Sequence, residues 1–281
     1  MSSNQSWIKY LAIAFGLVLA LGIIASIVNG GVAIMRGFGL IENKNQIIEQ
    51  GESNFRQDFT GDLKSVFVTF DTGSITLQSG DAFVVEGTNV PPSLNATLDN
   101  GKLIIEDKKS TQVFPNLFGK DRMTNLIVTI PRNTQLKKLE LEIGAGRGEL
   151  SQLVTDELVI KQGAGEVVAD QLLANSGKLS GGAGAVHFTN VKLNDFEING
   201  GVGLISIQGI VTGEFEVDCG VGQTNLDING NVDDYFITVD QGIGPITIND
   251  RSISETGVGT QSAPHRINID GGVGPVYMTF K

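Results

Sequence analysis

The sequence contains one cysteine, Cys219, and two histidines, His187 and His265, among 281 residues. One cysteine excludes an intramolecular disulfide framework, and three such ligands are too few for an ordinary structural zinc site. Aromatic residues are scarce at 6%, and basic residues are outnumbered: 20 Lys and Arg against 31 Asp and Glu give a net charge of −11. Lys9, Arg36 and Lys44 against Glu42 leave the first 44 residues at +2, so the remainder carries −13. An acidic body of this kind repels polyphosphate, which argues against nucleic acid and anionic lipid surfaces as partners. What the chain has in excess is glycine, 37 residues where the average share is about 7%. A hydrophobic content of 41% is enough for a real core.

Residues 1–41 read as a membrane anchor with its flanks. From Leu11 to Val28 there is no charge and one polar side chain, Ser26, and the apolar run extends to Ile34 through Asn29 and two glycines. That is long enough to span a bilayer, and Trp7 and Tyr10 stand where an interfacial aromatic belt belongs. The rival is a cleaved signal peptide, which has a shorter apolar region, a more basic start and a small-X-small cleavage site. The start MSSNQSWIK has one lysine and no such site follows the run, so the expectation is a retained single span. Arg36 and Lys44 beyond it, against Lys9 before it, lean towards a cytoplasmic domain on the positive-inside rule. Residues 42–56 are mostly polar and read as a linker.

The glycines mark a beat. Gly144-Ala-Gly146, Gly163-Ala-Gly165, Gly182-Ala-Gly184, Gly201-Val-Gly203 and Gly220-Val-Gly222 begin nineteen residues apart, and Gly242-Ile-Gly244 and Gly272-Val-Gly274 follow at wider intervals. Five and three residues before each triplet stand apolar pairs such as Leu139/Leu141 and Phe196/Ile198, broken only at Gly177; similar pairs stand two and four after it. A spacing of two is strand periodicity, and a fixed repeat means stacked units. A further apolar position falls nine after the first glycine, at Leu153, Leu172, Val191 and Ile210. The fold expected is all-β: a single-stack β-solenoid, β-helix-like, with about nineteen residues per coil, over residues 136–281 and preceded by one transmembrane helix. The glycines are its corners, where chain reversal and close coil packing favour a residue without a Cβ. Residues 57–135 read as an irregular β section capping the stack, with strands at 65–77, 83–86, 103–106 and 126–130, Asp71-Thr-Gly73 as an early corner, and Phe114, Leu117 and Phe118 in an apolar loop.

No residue set points to catalysis. None of the triplets continues as a dinucleotide fingerprint at a strand–helix junction. GGAGAVHFT, GGVGLISIQ and GGVGPVYMT share the glycines of the calcium-binding nonapeptide, but Val186, Ile205 and Val276 replace its aspartate. The histidines have no triad pattern and Cys219 has no neighbouring base, so the chain reads as no enzyme, without cofactor or bound metal. One acidic feature remains: two residues before the last three triplets stand Asp218, Asp240 and Asp270, an outward column that is either a solvated face or a weak cation site.

LELEIGAGRGELSQL, ELVIKQGAGEVVADQL and EFEVDCGVGQTNLDI, with the opening SVFVTFDTGSITLQSGDAFVVEG, resemble the bacterial β-strand-repeat domain labelled "putative adhesin", a domain of unknown function, over about residues 60–281. The anchor-plus-domain layout is similar to members encoded beside cell-envelope stress systems. The resemblance implies a β-solenoid held at the cell membrane and lying outside the cytoplasm, with no catalytic residues. The function expected is a membrane-anchored interaction module for a protein or glycan partner at the envelope. The alternatives are a regulatory partner of a membrane signalling protein and, more remotely, a polysaccharide-acting β-helix enzyme.

Overall fold

The computed structural model describes residues 54–107, 123–253 and 257–281. The anchor, most of the linker, and Phe114, Leu117 and Phe118 lie outside the described residues. Among those described, no helix is long and apolar enough to cross a membrane. The described residues all belong to one compact unit, Gly51–Lys281.

That unit is all-β. β1 (Phe55–Asp58), β2 (Ser65–Gly80), β3 (Val84–Thr88), β4 (Leu94–Asp99), β5 (Lys102–Asp107) and β6 (Asn125–Pro131) precede β7 (Gln135–Ser180), which runs unbroken through two corners. β8 (Ala183–Asn199), β9 (Val202–Asp218) and β10 (Val221–Ile228) continue the stack. β11 (Tyr235–Asp240), β12 (Ile246–Ile248), β13 (Arg251–Ser252), β14 (Val258–Gly259), β15 (His265–Asp270) and β16 (Val276–Phe280) complete it. Each coil runs along a first wall, bends at its Gly-X-Gly and returns along a second wall. Neighbouring coils pair in parallel nineteen residues apart: Gly165 with Gly184, Gly184 with Gly203, Gly203 with Gly222.

The second glycine of every triplet has φ between +124° and +150°. A Cβ there would overlap the carbonyl oxygen of the glycine stacked on it, as at Gly184 over Gly165. The corner column therefore exists because the coils touch backbone to backbone. The interior is filled from both walls: Leu139, Leu141, Leu150 and Leu153 are all buried, as are Leu158, Ile160, Ala169 and Leu172 one coil on. Each such side chain contributes about 1.5–3 kcal/mol. Gly177, the gap in the apolar pattern, is explained by its neighbour: a side chain there would collide with the Phe196 ring and the Leu158 carbonyl.

Three features depart from the sequence reading. First, the apolar position nine after the glycine fails at Ile210, which is 39% exposed, while Val211 is fully buried. Val191 pairs with Gly209 and Leu193 with Val211, so that coil drops one residue at this turn and regains it before Phe215. Second, the stack begins earlier than the triplets. β2 is already a coil, with Thr72 opposite Ala145 and Gly73 opposite Gly146. On its other side lie β5 on the first wall and β6 on the second, capped in turn by antiparallel β4, β3 and β1. β1 takes up Phe55 and Arg56, which the linker reading had included. Third, the last coils are out of order. β15 pairs with β9 on one side and β11 on the other, and β16 pairs with β10 and β12. The coil at 265–280 thus lies between the coil ending at Ile228 and the coil at 235–248.

Candidate functional site

Charges on the outer face change character along the stack. Over the coils from Lys138 to Glu197 they alternate and pair. Lys138 Nζ lies 2.8 Å from Glu157, Lys161 Nζ 3.1 Å from Glu140, and Lys178 Nζ 2.8 Å from Glu197, while Arg147 bridges Glu149 and Glu166. Lys161 and then Lys138 hold the Glu140 carboxyl below the usual carboxylate range; Lys178, then Asn199, do so for Glu197. Glu157 and Glu140 in turn raise Lys138 and Lys161. Exposed pairs of this kind add little each to stability.

Beyond Glu197 the described residues show one further salt bridge, Lys281 Nζ to Asp227 at 3.2 Å. A groove of about 510 Å³ runs over the outer face of the first wall across four adjacent coils. Two columns line it. One holds Glu197, Glu216, Asn268 and Thr238, the other Asn199, Asp218, Asp270 and Asp240, with Ile198, Val217, Ile269 and Val239 contributing between them. Strand alternation explains the arrangement, since these polar residues alternate with the buried Ile and Val of the same strands. The aspartates of the sequence reading are on adjoining coils, but in the order Asp218, Asp270, Asp240, because the 265–280 coil is interposed. Among the described residues no Lys or Arg makes a salt bridge to Glu216, Asp218, Asp240 or Asp270, and no three His, Cys, Asp or Glu side chains converge as a metal-ligand set. Asp218 Oδ1 accepts the Gly220 amide at 3.0 Å, and Thr238 Oγ1 donates to Asn268 Oδ1 at 2.5 Å.

Neither histidine is part of a hydrolytic arrangement. His187 Nε2 lies 3.7 Å from Glu166 Oε1, and His265 Nδ1 accepts the Gly213 amide at 3.1 Å while its ring packs against Tyr235. That His265 clamps the interposed coil was not foreseeable from its place after Pro264.

Cys219, next to Asp218 in the chain, is buried. Burial pushes its thiol up to about 11; the Thr224 hydroxyl pulls the other way, and Asp218 and Asp270 add to the rise. Because the neutral thiol is favoured in the fold, its contribution is complete below about pH 9. It fades as the pH rises towards 11, by about 2–3 kcal/mol in all. The folded protein should therefore resist thiol reagents at neutral pH and be labelled only on unfolding. Its melting temperature should fall more steeply above pH 9 than that of Cys219→Ala. Rapid labelling of the folded chain, or parallel pH profiles, would refute the burial argument.

The second column that sequence reading missed lies at the turn after the second wall. Asn133, Gln152, Gln171 and Asn190 all have φ between +53° and +61°, nineteen residues apart, and Gly209 occupies the next place. The signal was partial: Asn133, Asn190 and Gly209 are residues that favour a left-handed turn, whereas Gln152 and Gln171 are not.

The family model for Toastrack DUF4097 matches residues 63–264 of the chain. A crystal structure described as a "putative cell adhesion protein" from Clostridium sporogenes is 16% identical, with TM-score 0.44, covering 82% of this chain and 100% of that one. One described as a "putative adhesin" from Bacteroides fragilis is 12% identical, with TM-score 0.45, covering 80% of this chain and 96% of that one. No curated protein matches.

Proposed function

The chain belongs to the Toastrack DUF4097 family, and we propose that it is a non-catalytic, adhesin-like docking module. In this reading residues 1–41 hold it to the cell membrane on the envelope side, and its acidic groove receives a basic segment of another envelope protein. The observation that carries the reading is the contrast along one surface. Over the first coils Glu140, Glu142, Glu149, Glu157, Glu166 and Glu197 each face a Lys or Arg, whereas Glu216, Asp218, Asp270 and Asp240 stand together along a concavity with no salt bridge among the described residues. Unmatched charge of one sign steers a partner of the other and favours its encounter. Catalysis finds no support in the two histidines, one engaged by a backbone amide and the other facing Glu166.

Titration of the full-length protein in detergent with a lysine-rich peptide tests the groove. Binding should weaken as salt rises, and Glu216→Gln/Asp218→Asn/Asp240→Asn/Asp270→Asn should reduce affinity by about tenfold or more, equivalent to about 1.4 kcal/mol or more. Unchanged affinity in that variant would remove the groove from the reading. The envelope side is tested separately by Thr260→Cys, labelled on intact cells with a membrane-impermeant thiol reagent; labelling only after lysis would place the domain inside.

A further inference from the structure

The coil at 265–280 is held as a bound ligand would be. On the first wall β15 pairs in parallel with β9 and β11; on the second, β16 pairs with β10 and β12. Its inward residues Ile267, Ile269, Val276 and Met278 are buried. The Cys219 amide donates to the Asp270 carbonyl, and the Gly213 amide to His265 Nδ1. Without this coil the rest of the stack would present a slot edged on both walls by unpaired strands, a ready template for an extended segment. The coil joins its neighbour at 235–248 through residues 249–264, where β13 and β14 make only two ladder pairs each.

We infer that this slot is a self-association site, in which the 265–280 coil of one copy fills the slot of a second copy. The partner is specified by the slot itself. Its ladder register, apolar rows and corner stacking, Gly272 against Gly220 and Gly242, are those the same sequence already satisfies within one chain. Exchange requires the 249–264 connection to open outward and creates no contact that a single copy lacks. The inference is independent of the groove and its partner.

Asn225 and Tyr277 oppose each other across β10 and β16, close enough for a disulfide between neighbouring strands. In a full-length Cys219→Ala background, chains carrying Asn225→Cys are refolded together with chains carrying Tyr277→Cys and then oxidised. The expected result is a covalent dimer containing one copy of each, in clear excess over the dimer from either variant refolded alone. A single chain carrying both cysteines should close the same bond internally. If it closes while the mixture gives no cross-copy dimer, the slot accepts only its own coil and the inference fails. It fails equally if the doubly substituted chain does not close, because the register is then wrong. It also fails if the dimer persists when the Tyr277→Cys chain carries Ile269→Asp, since the bond would then reflect collision rather than insertion.

Discussion

Replacing Gly184 by alanine should destabilise the protein by about 3 kcal/mol or more, whereas the same change at Gly181, three residues away, should leave it as stable or stabilise it by about 0.4–1 kcal/mol. Gly184 has φ +144°, a region closed to side-chain-bearing residues, and a Cβ there would overlap the Gly165 carbonyl of the coil below. That carbonyl belongs to backbone fixed by its own neighbours, so relief means parting two coils. Gly181 has neither constraint: the atoms nearest an added Cβ are 3.5 Å away. It borders a small notch of about 20 Å³ shared with Gln162, Gly200 and Cys219, which a methyl would partly fill. Denaturant unfolding of the two variants beside the parent protein decides the matter. Equal losses would mean that glycine is needed here for reasons other than coil contact.

Phe196→Ala should cost about 3–5 kcal/mol. The ring is fully buried, lies in register with Phe215 on the next coil, and occupies the space that Gly177 leaves on the preceding one. Collapse around the void is restricted because Gly177 has no side chain to move in and its backbone is held in the ladder by Phe196 itself. The urea midpoint should fall with little change in slope. Ile210→Ala should change stability by no more than about 0.5 kcal/mol, as expected for an exposed site, and Val211→Ala by clearly more. A larger effect at Ile210 than at Val211 would reverse the register assigned to that coil.

Sequence periodicity revealed the stack because the repeat imposes one environment on each position. Leu139, Leu158 and Phe215 face the same interior, and Gly146, Gly165 and Gly184 the same neighbouring carbonyl. It was misleading where the environment is set by a local irregularity, as at Ile210, whose apolar side chain matches the pattern but whose coil is one residue short. The β4–β5 hairpin went unread although Asn100-Gly101 marks its turn; both residues have positive φ. The exchanged order of the last two coils could not be read at all. Residues 237–248 and 267–278 have nearly the same pattern, and each would fit beside the coil ending at Ile228. The acidic residues of the groove were visible as a column of Asp218, Asp240 and Asp270, but the place of Glu216 beside them emerges only when the coils are set side by side.

The exchanged order also bears on how the chain is made. Synthesis proceeds at about 5–20 residues per second, so the coil at 235–248 is complete a few seconds before the coil that will separate it from the rest. Throughout that interval Ile237, Val239, Ile246 and Ile248, all buried in the finished stack, have no permanent neighbour on their inner side. The nascent chain can rest them against the strands ending at Ile228 only by closing the gap that the following residues need. Closure of this end therefore waits for the last residues: until the 265–280 segment is in place, the strands of 235–248 and those ending at Ile228 lack the partner that covers them both.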